Sequence, residues 1–302
     1  MSTKGKVFLA IGIWLGLAIL ALIVFGSAGK NEAFQPQDEF KLEPWVEINI
    51  AGIDFSITKA VLYLFLASAL TIWVMTYIAN RMKQKPNVVQ MGMELAYDLT
   101  SKNIVGENMG RKMAKKWFPF IAALFFWIWF SNMIGLIPLP VNTAETVNVF
   151  GIDFPAFALY AATANLSIPL VLTIVVFVAY NVEGMREHGP IRYFGTWLPG
   201  GLEDMNPAGK TAIFMIEVVS NFVRLISLSV RLFANVLAGH LLILFMAGGL
   251  AVLLGVVALG ILTFPLGFAF YVFEVVLVAT LQAFIFAILT AIYLGSATAE
   301  SH

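Results

Sequence analysis

Residues 7–26, "VFLAIGIWLGLAILALIVFG", form an unbroken apolar run long enough to cross a bilayer as a helix. The pattern recurs at 59–80, 118–140 and 160–181, and a longer apolar region fills 211–295, broken most visibly at Pro265. Backbone polar groups in hydrocarbon must be satisfied internally, so spanning segments are helices or the strands of a closed barrel. The runs are continuous rather than alternating, which excludes a barrel. Only 12% of the 302 residues are charged and 60% are hydrophobic, whereas soluble domains run about 25% charged. The expected fold is an all-α integral membrane protein with about six apolar helices.

The first run follows "MSTKGK" and precedes the small residues "GSAG". Residues 1–28 are therefore an N-terminal anchor or a signal segment, ahead of a single membrane domain at 29–302. The apolar stretch is longer than the roughly 7–15 residues of a usual signal core, which favours an anchor. Segment 81–117 is basic, with Arg81, Lys83, Lys85, Lys102, Arg111, Lys112, Lys115 and Lys116. Segment 27–58 is acidic, with Glu32, Asp38, Glu39, Glu43, Glu47 and Asp54 against Lys30 and Lys41. The positive-inside rule makes the former cytoplasmic and the latter external. The tail "SATAESH" has no Lys or Arg, so charge bias cannot orient it.

As one helix, 211–263 would be about 80 Å long at 1.5 Å per residue, far beyond a core of roughly 30 Å. It holds two crossings, or it is one strongly tilted helix. The phrases "INIAGIDF" (48–55) and "VNVFGIDF" (147–154) are alike, and Asp54 and Asp153 are read as caps of the helices that follow. Residues 87–105 read as an amphipathic helix resting on the cytoplasmic interface.

Several function classes fall away. Net charge is zero, which leaves no electrostatic footprint for nucleic acid, and there is no cysteine for a disulfide or thiolate site. His188, His240 and His302 show no zinc-site spacing. Neither a His-Glu-x-x-His motif nor a Gly-x-Ser-x-Gly elbow occurs, so an intramembrane hydrolase is rejected. A secondary transporter should show internal repeats with broken helices, and no convincing repeat is present.

A polar stripe carries the chemistry. Glu217, Ser220, Arg224, Ser227, Arg231, Asn235 and Gly239 follow one another in steps of 3, 4, 3, 4, 4 and 4, which keeps them near one helix face. The residues between them are mostly apolar. An arginine at the bilayer centre costs about 2.5–3.5 kcal/mol, and intramembrane charges are functional by default. Arg231, apolar on both sides, carries that argument; Arg224 could instead snorkel toward an interface. Arginine stays charged and does not itself pass a proton onward. It suits attraction of a carboxylate that alternates between protonated and ionised forms. Glu274 lies in "YVFEVVLVATLQAF", with Thr280 and Gln282 following, and a carboxyl taken out of water holds its proton more readily, which suits a relay. His240 closes the stripe with a ring that titrates near neutrality unless perturbed.

The stretch "SLSVRLFANVLAGH", with Glu217 fourteen residues before Arg231, resembles subunit a of the F-type rotary ATP synthase. So do "LQAFIFAILTAIYL" (281–294), "FSNMIGLIPLP" (130–140) and "TANLS" (163–167), and the likeness covers roughly 44–296. It implies a non-catalytic, ion-conducting stator subunit packed against a ring of c subunits and held by peripheral-stalk b subunits within the whole complex. It implies no cofactor and no metal. The last two helices would form a long, strongly tilted hairpin in the lipid bilayer, with the C-terminus cytoplasmic in a bacterial inner membrane. Two aqueous half-channels would meet the ring from opposite sides.

Arg231 matches the arginine that separates the half-channels and engages the ring carboxylate. Asn235 and Gln282 match polar neighbours, and Glu217 matches the acid of the cytoplasmic half-channel. His240 occupies a position held by an acid or a histidine, while Arg224 and Ser227 have supporting roles. One departure stands out. The second outer-channel group usually falls seven residues before the glutamine, at Val275, and this chain offers Glu274 instead. A one-residue shift turns a side chain by about 100° unless a π-bulge intervenes.

Overall fold

The computed structural model describes residues 3–26, 40–42, 44–50, 52–149, 152–198 and 206–299. Lys30, Glu32, Asp38, Glu39, Glu43 and His302 lie outside the described residues. The architecture is all-α, as expected, and six helices have the length and apolar composition to cross a membrane. The protein is a multi-pass membrane protein.

The spans are α1 (Thr3–Phe25), α2 (Lys59–Arg81), α4 (Arg111–Gly135), α5 (Ser167–His188), α7 (Pro207–Leu244) and the continuous stretch Val257–Thr298. That stretch comprises α9 (Val257–Phe273), a π-helical turn (Glu274–Val278) and α10 (Ala279–Thr298). Short helices complete the set: α3 (Val88–Asp98), α6 (Pro190–Gly195) and α8 (Leu250–Leu254). The residues group into two compact units, one of 1–63, 132–164 and 235–279, the other of 64–131, 165–234 and 280–302.

Two boundaries depart from the sequence expectation for local reasons. The fourth span begins at Ser167 rather than 160, because residues 162–164 form a 3₁₀ turn and Asn165 Oδ1 accepts the Ser167 amide at 3.0 Å. Pro169 then sits in the first turn, where its missing N–H is harmless. The span ends at Gly189, whose φ of +83° a side-chain-bearing residue rarely adopts. The region 211–295 contains two long helices, of 38 and 42 residues. The break between them is not at Pro265. It lies at 245–256, where Gly255 has a φ of +72° and residues 245–249 form a π-helical turn. α9 runs through Pro265. The carbonyl that Pro265 cannot serve, on Ile261, accepts the Trp14 indole N–H of α1 at 2.7 Å.

Asp54 and Asp153 do not cap helices. The described residues of the two similar phrases pair as antiparallel strands: β2 (Asn49–Ile50) with β3 (Ile53–Asp54), and β5 (Leu139–Val149) with β6 (Ile152–Ala158). The registers agree, with Asn49 opposite Asp54 and Asn148 opposite Asp153. At the first turn Gly52 supplies a φ of +83°. Asp54 Oδ1 accepts the Ser56 amide at 2.8 Å, which closes an Asx turn rather than a helix cap. A further pair, β1 (Pro44–Val46) with β4 (Ile57–Thr58), extends this ribbon to the start of α2.

α3 is amphipathic as its sequence predicts. Asn87 caps it by accepting the Gln90 amide at 2.8 Å, and a π-helical segment (Leu99–Gly106) continues it. Gln90 and Met93 face inward, while Val88, Val89, Met91 and Leu95 are exposed, an apolar surface suited to a membrane interface.

Candidate functional site

α7 explains how one helix can serve a packed core and an outward chemical surface together. Its buried line is Asn221, Leu228, Leu232, Val236, His240 and Ile243. The face that borders this line exposes Arg224, Ser227, Arg231 and Asn235, beside the apolar Val223, Ile226 and Val230. Each step of four advances about 40° around a helix. The final steps of the stripe therefore turn from exposed Arg231 through Asn235 to Gly239, at the edge of the packed side. None of the ion pairs among the described residues involves Arg231.

In the unit that holds residues 235–279, Gly239 lies against the side chain of Glu274. A Cβ added at Gly239 would overlap the carboxyl carbon and both oxygens of Glu274, so the absence of a side chain there makes room for the acid. Glu274 is 7% exposed and opens the π-helical turn Glu274–Val278. A π turn accommodates one extra residue, so the one-residue offset of Glu274 coincides with the element that can absorb it.

His240 is buried, with Nδ1 2.9 Å from the Val236 carbonyl and Nε2 3.1 Å from the Gly135 carbonyl. Both oxygens can only accept. A neutral ring donates from one nitrogen at a time, and only the imidazolium donates from both. Gly135 can approach Ala161 this closely because it has no Cβ, which would overlap that residue. Next to it, Tyr271 donates to the Leu136 carbonyl at 3.2 Å, tying α9 to the end of α4.

In the other unit, Glu217 and Arg224 form an ion pair at 3.2 Å on the wall of a cleft of about 260 Å³. Tyr180, Tyr193, Asn221, Tyr293 and Ser296 also line it. Asn221 connects the wall, since its side-chain N–H donates to the Glu217 carbonyl at 3.2 Å and its oxygen accepts the Tyr180 hydroxyl at 3.3 Å. Tyr193 donates to Asn181 at 3.1 Å, and burial raises its phenol above the ordinary value of 10.0. Gln282 is buried on α10, and Thr280 accepts the Trp129 indole N–H at 3.1 Å.

Sequence reasoning missed Asn221, Tyr180 and Tyr293 in this cleft. It also missed Glu183, which is 1% exposed and paired with Lys116. Asn221 could have been found as the residue one turn after Glu217. The Lys116–Glu183 pair leaves no local signal, because 67 residues separate its members.

These positions lie within a region that related proteins share. A family model described as ATP synthase A chain matches residues 61–295. ATP synthase subunit a of Rubrobacter xylanophilus is 32% identical over 253 residues, covering 83% of this chain and 88% of that protein. The subunit a of Parvibaculum lavamentivorans is 33% identical over 271 residues, covering 88% and 94%, respectively. That of Rhodospirillum rubrum is 30% identical over 262 residues, covering 87% and 97%. Matched from the start of α2 to the end of α10, the chain belongs to the ATP synthase A chain family.

Proposed function

We propose that this chain is the proton-translocating stator subunit of a rotary ATP synthase and makes no chemical bond itself. It provides two half-channels that pass protons to and from carboxylates on a ring of c subunits, coupling the ion gradient to rotation and ATP synthesis. The observation that carries this reading is the position of Arg231: a permanent cation exposed on the narrow polar stripe of a transmembrane helix whose intervening residues are mostly apolar. Such a charge needs a partner from another molecule, and an acid moving past it supplies one intermittently.

The outer half-channel is Glu274 with His240, a reading supported by the π-helical turn at Glu274, which can absorb a one-residue offset. A proton passed from this pair neutralises a ring carboxylate, which can then face lipid at a cost an ionised group would not permit. After most of a turn the carboxyl meets the inner half-channel, the cleft walled by Glu217, Asn221 and Arg224, and ionises. Arg231 then attracts the carboxylate and opposes leakage between the two routes. Asn235 and Gln282 are its polar neighbours, and Arg224 and Ser227 support. Each charge moved across 100 mV contributes about 2.3 kcal/mol. The chain sits in a bacterial inner membrane with 81–117 and the C-terminus cytoplasmic, alongside peripheral-stalk b subunits.

The test is ATP-driven acidification of inverted vesicles containing the assembled complex. Arg231→Gln should abolish pumping while the c ring still co-purifies, and Arg224→Gln should retain most of it. Pumping that survives Arg231→Gln would make Arg231 a structural charge and defeat the proposal.

A further inference from the structure

α1 lies outside the region matched by the family, 61–295, yet it is joined to the helix that leads to Glu274. Pro265 is inside α9 and has no amide hydrogen, so the carbonyl of Ile261, one turn earlier, loses its helical donor. In a membrane an unpaired carbonyl has no water to turn to, and proline is tolerated in spanning helices where a neighbouring group replaces the donor. Here the Trp14 indole N–H does so, at 2.7 Å and 247 residues away in sequence. Ala18 and Ala21, one and two turns further along the same face of α1, are its buried residues, while Leu17, Ile19 and Leu20 are exposed. α1 therefore presents one narrow face of Trp14, Ala18 and Ala21, whose indole ends on the one carbonyl that Pro265 leaves vacant in α9.

We propose that Trp14 is a positioning residue: its indole braces the Pro265 interruption and fixes the helix that carries Glu274, nine residues on. α1 is then a permanent part of the folded subunit rather than a removable leader. The consequence for transport rests on the proposed role of Glu274; the brace itself does not.

The experiment is a double-mutant cycle in the assembled complex, reconstituted in lipid. Trp14→Phe keeps the ring and removes the N–H, while Pro265→Ala restores a backbone donor to Ile261. Proline 265 is exposed, so the smaller side chain meets no steric barrier. Hydrogen exchange of amides in 257–279 should quicken about three- to tenfold in Trp14→Phe. The change should vanish when Pro265→Ala is also present. Intact mass of the purified subunit should include residues 3–25. Equal acceleration in both backgrounds, no acceleration, or a mature chain lacking α1 would each overturn the proposal. The pH profile of ATP-driven pumping separates the two readings. If exchange quickens and is rescued while the profile stays native, the brace stands and the transport role of Glu274 fails.

Discussion

Gly239→Ala places one methyl group against the Glu274 carboxyl. The overlap involves the carboxyl carbon and both oxygens, so the acid must move. It is the far end of a flexible side chain, and swinging it off its preferred rotamer costs about 0.5–1.5 kcal/mol. That is small beside the 5–15 kcal/mol stability typical of a domain, so the variant should fold and assemble. The functional effect should be larger. Glu274 is buried, with little free space in which to move and still face the same neighbours, and misplacement of a reacting group by about 1 Å can cost up to about 100-fold in rate. Proton flux in inverted vesicles, normalised to assembled complex, should therefore fall about 10- to 100-fold, with the thermal midpoint nearly unchanged. Gly239→Ala/Glu274→Asp supplies the internal check: the shorter acid withdraws from the added methyl, so the double variant should exceed the product of the two single effects. Native flux in Gly239→Ala, or strictly multiplicative losses, would refute the idea that this glycine exists to seat the carboxyl.

The Lys116–Glu183 pair joins a buried carboxylate to an ammonium half exposed. Lys116→Met should lower stability by about 1–3 kcal/mol by leaving the acid only Arg186, 4.0 Å away, and adding Glu183→Gln should recover most of it in thermal denaturation of the solubilised subunit. Burial holds the Tyr193 phenol neutral beyond its ordinary pKa of 10.0, so the unfolded chain releases this proton first as pH rises. The associated stability is complete below about pH 10 and lost above it. Tyr193→Phe should flatten that alkaline decline while lowering stability near neutrality by about 1 kcal/mol through loss of the hydrogen bond to Asn181, as read from melts at graded pH.

What could be read from the sequence was local. Apolar runs mark helices because hydrocarbon leaves the backbone no alternative, and the six spans follow from that constraint. The stripe on α7 was legible for the same reason: steps of three and four are a property of one helix. The errors arose where a residue's local preference was overruled by a partner remote in sequence. Aspartate before an apolar run suggests a cap, but pairing of Asn49 with Asp54 and of Asn148 with Asp153 placed both acids in antiparallel strands. Proline suggests a break, but a tryptophan in another helix supplied the missing donor, and the chain turned instead near Gly255.

The same distinction applies to the candidate site. Periodicity identified Arg231 and Glu217, whereas the His240 cage depends on a Gly135 carbonyl 105 residues away, and room for Glu274 depends on the absence of a side chain at Gly239. A missing Cβ and a carbonyl from a remote helix end leave little trace in composition or periodicity, yet here they shape the surroundings of Glu274 and His240. Substitutions at the two glycines should therefore perturb proton transfer out of proportion to their effect on folding, although neither residue can bind a proton itself.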